Sequence, residues 1–93
     1  MSLPFKAVIV DDEPAARRLM KSLLEEYAGV VQVIGEAGSG AEAVAKITEL
    51  QTDVVFLDIQ MPDFPGFEVI EKRERKPNII FTTAYEQYAI KAF

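Results

Sequence analysis

Short runs of apolar, mostly β-branched residues constrain the fold of this chain more than any other feature. The run Val54–Leu57 is apolar at every position and ends at Asp58. Continuous apolar runs of this length are typical of strands that are covered on both faces, as in a parallel sheet. Three further strands are predicted, at Phe5–Val10, Val30–Glu36 and Asn78–Thr83.

The segment after the first strand is predicted to form an amphipathic helix. Pro14 suits a first helical position, the acidic residue before it can cap free N–H groups, and Gly29 closes the helix. The helical period assigns an inward face to Ala16, Leu19, Met20, Leu23, Leu24 and Tyr27. The same period assigns an outward face to Arg17, Arg18, Lys21, Glu25 and Glu26.

A second helix is predicted after Ser39, which forms a capping box with Glu42. Its inward residues are Val44, Ile47 and Leu50. Further helices are expected over residues 67–74 and from residue 86. Strands and helices thus alternate, which favours one α/β domain with a parallel sheet, right-handed crossovers and helices on both faces.

The composition excludes several classes of function. Neither cysteine nor histidine occurs in the 93 residues, so thiol chemistry, a Ser-His-Asp triad and a phosphohistidine are absent. The formal charge of −5 makes this piece a poor partner for nucleic acid or an anionic membrane. No run approaches a membrane span, and residues 1–4 do not resemble a signal peptide, so a cytoplasmic location is expected.

Polar side chains follow three of the predicted strands. Asp11 and Asp12 follow the first, Asp58 follows the third, and Thr83 ends the fourth. Two carboxylates ~4 Å apart repel by about 4 kcal/mol at an effective dielectric constant near 20. If the first and third strands are neighbours, a Mg²⁺ or Mn²⁺ ion that binds oxygen ligands would relieve this repulsion.

Each of these residues also has a simpler interpretation. An aspartate at a strand end is most often a turn or cap residue, and Thr83 alone is more often only a strand terminus. Gly35, Gly38 and Gly40 lack the spacing of a dinucleotide loop. The combination is more specific than any single member.

In combination, these residues resemble a bacterial response-regulator receiver domain of two-component signalling. The resemblance lies in residues 8–14, in residues 54–62 with Gly66, and in the pair Thr83-Ala84. Residues 82–93 are similar to the LytTR/AlgR-type subgroup, whose receivers precede a DNA-binding domain. The implied fold is flavodoxin-like (CheY-like), a doubly wound parallel sheet with strand order 2-1-3-4.

The resemblance also implies roles for individual residues. Asp58 would accept a phosphoryl group from a sensor histidine kinase, and Thr83 would supply a switch hydroxyl to that group. Asp11, Asp12, Asp58 and the backbone carbonyl of Gln60 would hold Mg²⁺. Phosphorylation would change the surface after the fourth strand and so control an output domain that binds DNA.

The sequence departs from the family pattern at its end. Receivers have a fifth strand with a lysine at its end and a fifth helix, and residues 1–93 contain neither. We therefore expect a parent with a longer receiver and a DNA-binding effector, and self-association of this piece through the region of strand 4 and helix 4.

An interaction module without phosphorylation is the alternative. A Mg²⁺-dependent aspartyl-phosphate phosphohydrolase is disfavoured because Gln60 stands where an acid/base aspartate is typical.

Overall fold

The computed structural model describes residues 3–60, residue 70 and residues 76–82. These residues form one four-stranded parallel sheet with the order β2-β1-β3-β4. This order confirms the predicted flavodoxin-like sheet. The elements are β1 (Phe5–Val10), α1 (Pro14–Glu25), β2 (Val31–Ala37), α2 (Gly40–Glu49), β3 (Val54–Asp58) and β4 (Asn78–Thr82).

The register aligns the carboxyl ends of the two central strands. Val10 pairs with Leu57 of β3 on one side and with Ala37 of β2 on the other. Asp11 directly follows Val10, and Asp58 directly follows Leu57 as the last residue of β3. Both aspartates thus lie at the same edge of the sheet, where parallel α/β sheets place their ligand sites.

One face of the sheet packs tightly against α2. Its contact residues are small or branched, and Ile47 and Leu57 are each only 1% exposed. Ile70, which is helical and also 1% exposed, packs into the same cluster. The cluster comprises Val8, Val10, Ala37, Ala43, Ile47, Val55, Leu57 and Ile70. The predicted inward residues of α2 are confirmed, with Val44 and Leu50 half-buried against this cluster.

The other face packs against α1, and here the predicted helix faces were partly wrong. Met20 and Leu24 pack against the sheet, whereas Leu19, Leu23 and Tyr27 are 56%, 50% and 61% exposed. The apolar stripe of α1 is wider than the strip that one contact with β1 and β2 can bury. The helix is oriented about its axis so that Met20 and Leu24 are buried, and the neighbouring row of apolar side chains therefore faces solvent.

The helix ends also differ in part from the sequence prediction. Pro14 opens α1 as predicted, but Glu13 makes no side-chain cap, and the helix ends at Glu25 rather than at Gly29. The capping box of α2 is confirmed, because the Glu42 N–H donates to Ser39 Oγ at 3.2 Å. The Glu42 carboxylate reaches one residue further back than predicted and accepts from the Gly38 N–H at 2.6 Å.

Helices were also predicted over residues 67–74 and from residue 86, and apart from Ile70 they lie outside the described residues. In the described ranges, no helix combines the length and the apolar character that crossing a membrane requires.

Candidate functional site

The three predicted carboxylates converge at the carboxyl edge of the sheet. Asp11 and Asp12 follow β1, Asp58 ends β3, and one oxygen from each lies within 4.8 Å of the others. Gln60 lies two residues after Asp58 and is exposed. Thr83 lies outside the described residues, although its neighbour Thr82 pairs with Asp58 in the sheet register.

Asp58 is the least exposed of the three carboxylates. It is 9% exposed, and its Oδ1 accepts a hydrogen bond from the backbone N–H of Gln60 at 3.0 Å. This contact with the residue two positions ahead is an Asx turn, which fixes the side chain at the point where the strand ends. The backbone N–H of Ile59, the residue between Asp58 and Gln60, donates to the Thr82 carbonyl at 2.8 Å and continues the pairing of β3 with β4.

Asp11 is held by an equivalent turn at the end of β1. Its Oδ1 accepts from the Glu13 N–H at 2.9 Å, and its own N–H donates to the Ala37 carbonyl at 3.0 Å. Burial raises the pKa of the Asp11 carboxyl above 3.8, and the nearby charges of Asp58, Asp12 and Glu13 raise it further. The hydrogen bond from the Glu13 N–H acts in the opposite direction.

The donor set suits a hard divalent cation. All three side chains offer carboxylate oxygens, which Mg²⁺ and Mn²⁺ prefer over softer ligands. The 4.8 Å spread is comparable with the about 4.2 Å between opposite oxygens of an octahedral Mg²⁺ site. A cation there would also offset the mutual repulsion that contributes to the raised pKa of Asp11. The carboxylates therefore fit the metal that the sequence pattern implies.

One residue that contacts this site was assigned to the wrong face of its helix. Arg17 was predicted to point outward, but its side chain is only 20% exposed. Its Nη1 donates to the backbone carbonyl of Asp11 at 2.6 Å. Helical side chains lean toward the helix N-terminus, so an arginine in the first turn of α1 can reach the loop before it. This directional rule is the signal that could have identified Arg17 from sequence.

Comparison with known families and proteins agrees with this geometry. The family described as the response regulator receiver domain matches residues 7–93. The chain is 46% identical over 89 residues to an uncharacterised response regulatory protein of Vibrio cholerae, covering 94% of this chain and 37% of that protein. It is 42% identical over 90 residues to the transcriptional regulatory protein BtsR of Escherichia coli, covering 95% of this chain and 37% of BtsR. The chain thus spans 37% of the length of these curated relatives.

Solved structures with the same arrangement include receiver domains. One similar chain belongs to the crystal structure of the P1 domain of CheA3 in complex with CheY6 from R. sphaeroides. It has a TM-score of 0.79 and 25% identity, covering 95% of this chain and 70% of that one. The response regulatory domain of mrkE from Klebsiella pneumoniae has a TM-score of 0.71 and 28% identity, covering 96% of this chain and 75% of that one.

Proposed function

The chain belongs to the response regulator receiver domain family, and from this premise we propose that Asp58 is the phosphoacceptor of a two-component system. The observation that carries the proposal is the convergence of Asp11, Asp12 and Asp58 at one edge of the sheet. Asp58 ends a central strand and is anchored through one oxygen by its own turn. Two further carboxylates lie beside it, as a metal-assisted phosphoryl transfer requires.

The proposed reaction is an in-line transfer to the Asp58 carboxylate. A carboxylate oxygen forms a bond to phosphorus while the phosphorus–nitrogen bond of a donor phosphohistidine breaks. The imidazole leaves with the electron pair, and Asp58 carries an acyl phosphate. None of the 93 residues is a histidine, so the phosphohistidine lies outside this piece, and we propose that a sensor histidine kinase carries it. One similar structure is itself a complex between CheY6 and the P1 domain of CheA3.

Mg²⁺ is the proposed cofactor, held by Asp11, Asp12, Asp58 and the Gln60 carbonyl. When bound, it supplies positive charge that offsets the charge of the transferring phosphoryl oxygens. The chain's own contribution is to orient the carboxylates. The Glu13 N–H fixes Asp11, and the Gln60 N–H fixes Asp58. Asp12 provides the third carboxylate and is exposed.

The proposed readout is a change in the surface that follows β4. Thr83 follows Thr82, which pairs with Asp58, and we propose, as the family resemblance implies, that its hydroxyl binds the phosphoryl group on Asp58. We propose that the longer protein is a cytoplasmic transcription regulator of the LytTR/AlgR type with a DNA-binding effector. The similarity to the transcriptional regulatory protein BtsR supports a role in the regulation of transcription. Self-association through the β4 side also stays a prediction, supported by Phe81, which is 47% exposed.

Intact-mass spectrometry with acetyl phosphate and Mg²⁺ tests the proposal. Wild type is expected to gain one phosphoryl group, and Asp58→Asn is expected to gain none. Asp53→Asn is the matched control, because it alters an aspartate at the opposite end of the same strand. Circular dichroism of each variant verifies that the fold is intact.

Other outcomes would contradict the proposal. Equal labelling of wild type and Asp58→Asn would place the acceptor elsewhere. No adduct on folded wild type would favour an interaction module that is not phosphorylated. Hydrolysis of a phosphomonoester over many turnovers, abolished by Asp58→Asn, would instead indicate a phosphohydrolase, since a receiver at most takes a phosphoryl group from an activated donor and releases it again.

A further inference from the structure

Arg17 connects the acidic loop after β1 to the end of β2. Its Nη1 donates to the Asp11 carbonyl at 2.6 Å, and its Nε lies 3.4 Å from Glu36 Oε1. Glu36 also faces Lys21, whose Nζ lies 3.6 Å from Oε2. One guanidinium therefore spans two elements, and a carboxylate on the neighbouring strand holds it in place.

The Asp11 backbone is fixed on both sides as a result. Its N–H donates to Ala37 of β2, and its carbonyl accepts from Arg17, which is paired with Glu36 of the same strand. Its carboxylate points into the acidic cluster, where it accepts from the Glu13 N–H. If the Asp11 carbonyl shifts, the Asp11 Cα moves with it, and so does the Asp11 carboxylate.

Gly38 provides the space in which the guanidinium lies. A Cβ at this position would lie 3.0 Å from Arg17 Nη1. That distance is tighter than most Cβ contacts in proteins, so an alanine would require the tip of Arg17 to move by a few tenths of an ångström. The displaced atom is the same nitrogen that donates to Asp11.

We propose that Arg17 is a positioning residue that sets the backbone at Asp11, and through it the carboxylate geometry for the divalent cation. Glu36 anchors the guanidinium, and Gly38 leaves room for it. Arg17 acts through Asp11 rather than on the cation or the phosphoryl group. The part that concerns the cation rests on the proposed function, whereas the restraint on the Asp11 backbone does not.

The first test measures the restraint in the metal-free protein. Hydrogen exchange of the Asp11 and Glu13 amides, both of which are hydrogen-bonded in this loop, is followed in EDTA for wild type and Arg17→Gln. We expect exchange at both amides to accelerate about tenfold in Arg17→Gln, because one support of the loop is lost. Arg18→Gln is the matched control, since it removes the same charge from the adjacent exposed position of α1.

The second test measures Mn²⁺ affinity from water-proton relaxation, without phosphorylation. Loss of a group that orients a metal ligand commonly weakens metal binding by about tenfold or more. We expect about a tenfold weaker affinity in Arg17→Gln, partial recovery in Arg17→Lys, and wild-type affinity in Arg18→Gln. Gly38→Ala keeps every charge and is expected to weaken binding about threefold in wild type but not in the Arg17→Gln background, since coupled residues are non-additive.

The outcomes separate this inference from the proposed function. If wild type binds no Mn²⁺, the metal site of the proposed function fails, while the exchange experiment still decides whether Arg17 restrains the loop. If wild type binds Mn²⁺ and Arg17→Gln binds equally well with unchanged exchange, the role of Arg17 is overturned. If Arg18→Gln weakened the Mn²⁺ affinity as much as Arg17→Gln does, the effect would come from the loss of positive charge in general. That result would also overturn the role of Arg17.

Discussion

Aspartates lie at both ends of β3, and the structure uses them differently. At the amino end, Asp53 accepts from the Lys6 N–H at 2.9 Å, while its own N–H donates to the Lys6 carbonyl at 2.8 Å. Its carbonyl also accepts from the Asn78 N–H at 3.0 Å. Asp53 therefore joins β3 to the strands on either side.

At the carboxyl end, Asp58 makes a turn with Gln60 and lies beside the carboxylates of Asp11 and Asp12. Those neighbours make the end of the strand less favourable for folding, since like charges repel. The comparison teaches that residue type does not reveal the role of an aspartate. Both aspartates accept from a backbone N–H, and what distinguishes Asp58 is that other acids lie beside it.

The largest effect we expect is stabilisation of the folded state by Mg²⁺. This stabilisation should depend on Asp58 at the carboxyl end of β3 and not on Asp53 at the amino end. A cation that binds only the folded state at one hundred times its dissociation constant raises the free energy of unfolding by about 2.7 kcal/mol. Urea denaturation with and without Mg²⁺ should show this increment in wild type and Asp53→Asn, and its loss in Asp58→Asn. An increment that survives in Asp58→Asn would break the comparison.

In EDTA, where no cation is bound, the two ends of the strand should matter in the opposite order. Loss of the Asp53 carboxylate should then lower the free energy of unfolding more than loss of the Asp58 charge does. Asp53→Ala removes the acceptor of the solvent-exposed Lys6 N–H and is expected to lower the free energy of unfolding by about 1 kcal/mol. Asp58→Asn keeps an acceptor for the Gln60 N–H and removes one charge from the cluster, so it should leave that free energy unchanged or raise it. Urea midpoints of both variants measure this, and a larger loss in Asp58→Asn would contradict it.

The two ends of β3 also show how far the sequence leads. The continuous apolar run Val54–Leu57 predicts a central strand because only a strand covered on both faces tolerates it, and Asp58 then has to lie at the ligand edge. The rotation of α1 could not be predicted in this way. Leu19 and Met20 are equally apolar, and only contact with the sheet decides that Met20 is the one that packs against it.

The same limit explains the error at Arg17. Its helical position is outward in a projection of the sequence, yet its long side chain reaches back past its own turn to Asp11. No local pattern encodes that Glu36 of another strand holds the guanidinium. The phosphoacceptor, switch and metal-binding roles of the site residues all stay predictions, because they rest on the family resemblance.

A smaller effect should show that polar groups at the carboxyl edge are not all functional. Ser39 follows β2 and accepts from the Glu42 N–H at 3.2 Å at the start of α2. Ser39→Ala is expected to lower the free energy of unfolding by about 1 kcal/mol through loss of the cap. The phosphoryl adduct in the intact-mass assay should remain. Loss of the adduct in folded Ser39→Ala would extend the site to this residue.

The smallest effect concerns the pH dependence of stability in EDTA. The pKa of Asp11 is raised above 3.8 mainly by burial, so between 3.8 and its folded value the folded state binds more protons than the unfolded state. The free energy of unfolding should therefore fall as the pH rises through this window, relative to Asp11→Asn, which cannot titrate there. The relative advantage of wild type is fully present below pH 3.8 and lost above the folded pKa of Asp11.

Urea denaturation at a series of pH values, as a difference between wild type and Asp11→Asn, isolates this contribution from the other carboxylates. Saturating Mg²⁺ should reverse the slope, since the cation binds the ionised carboxylate and each proton competes with it. A slope unchanged by Asp11→Asn would mean that the folded state does not raise the pKa of Asp11, and the contrast between the two ends of β3 would lose this support.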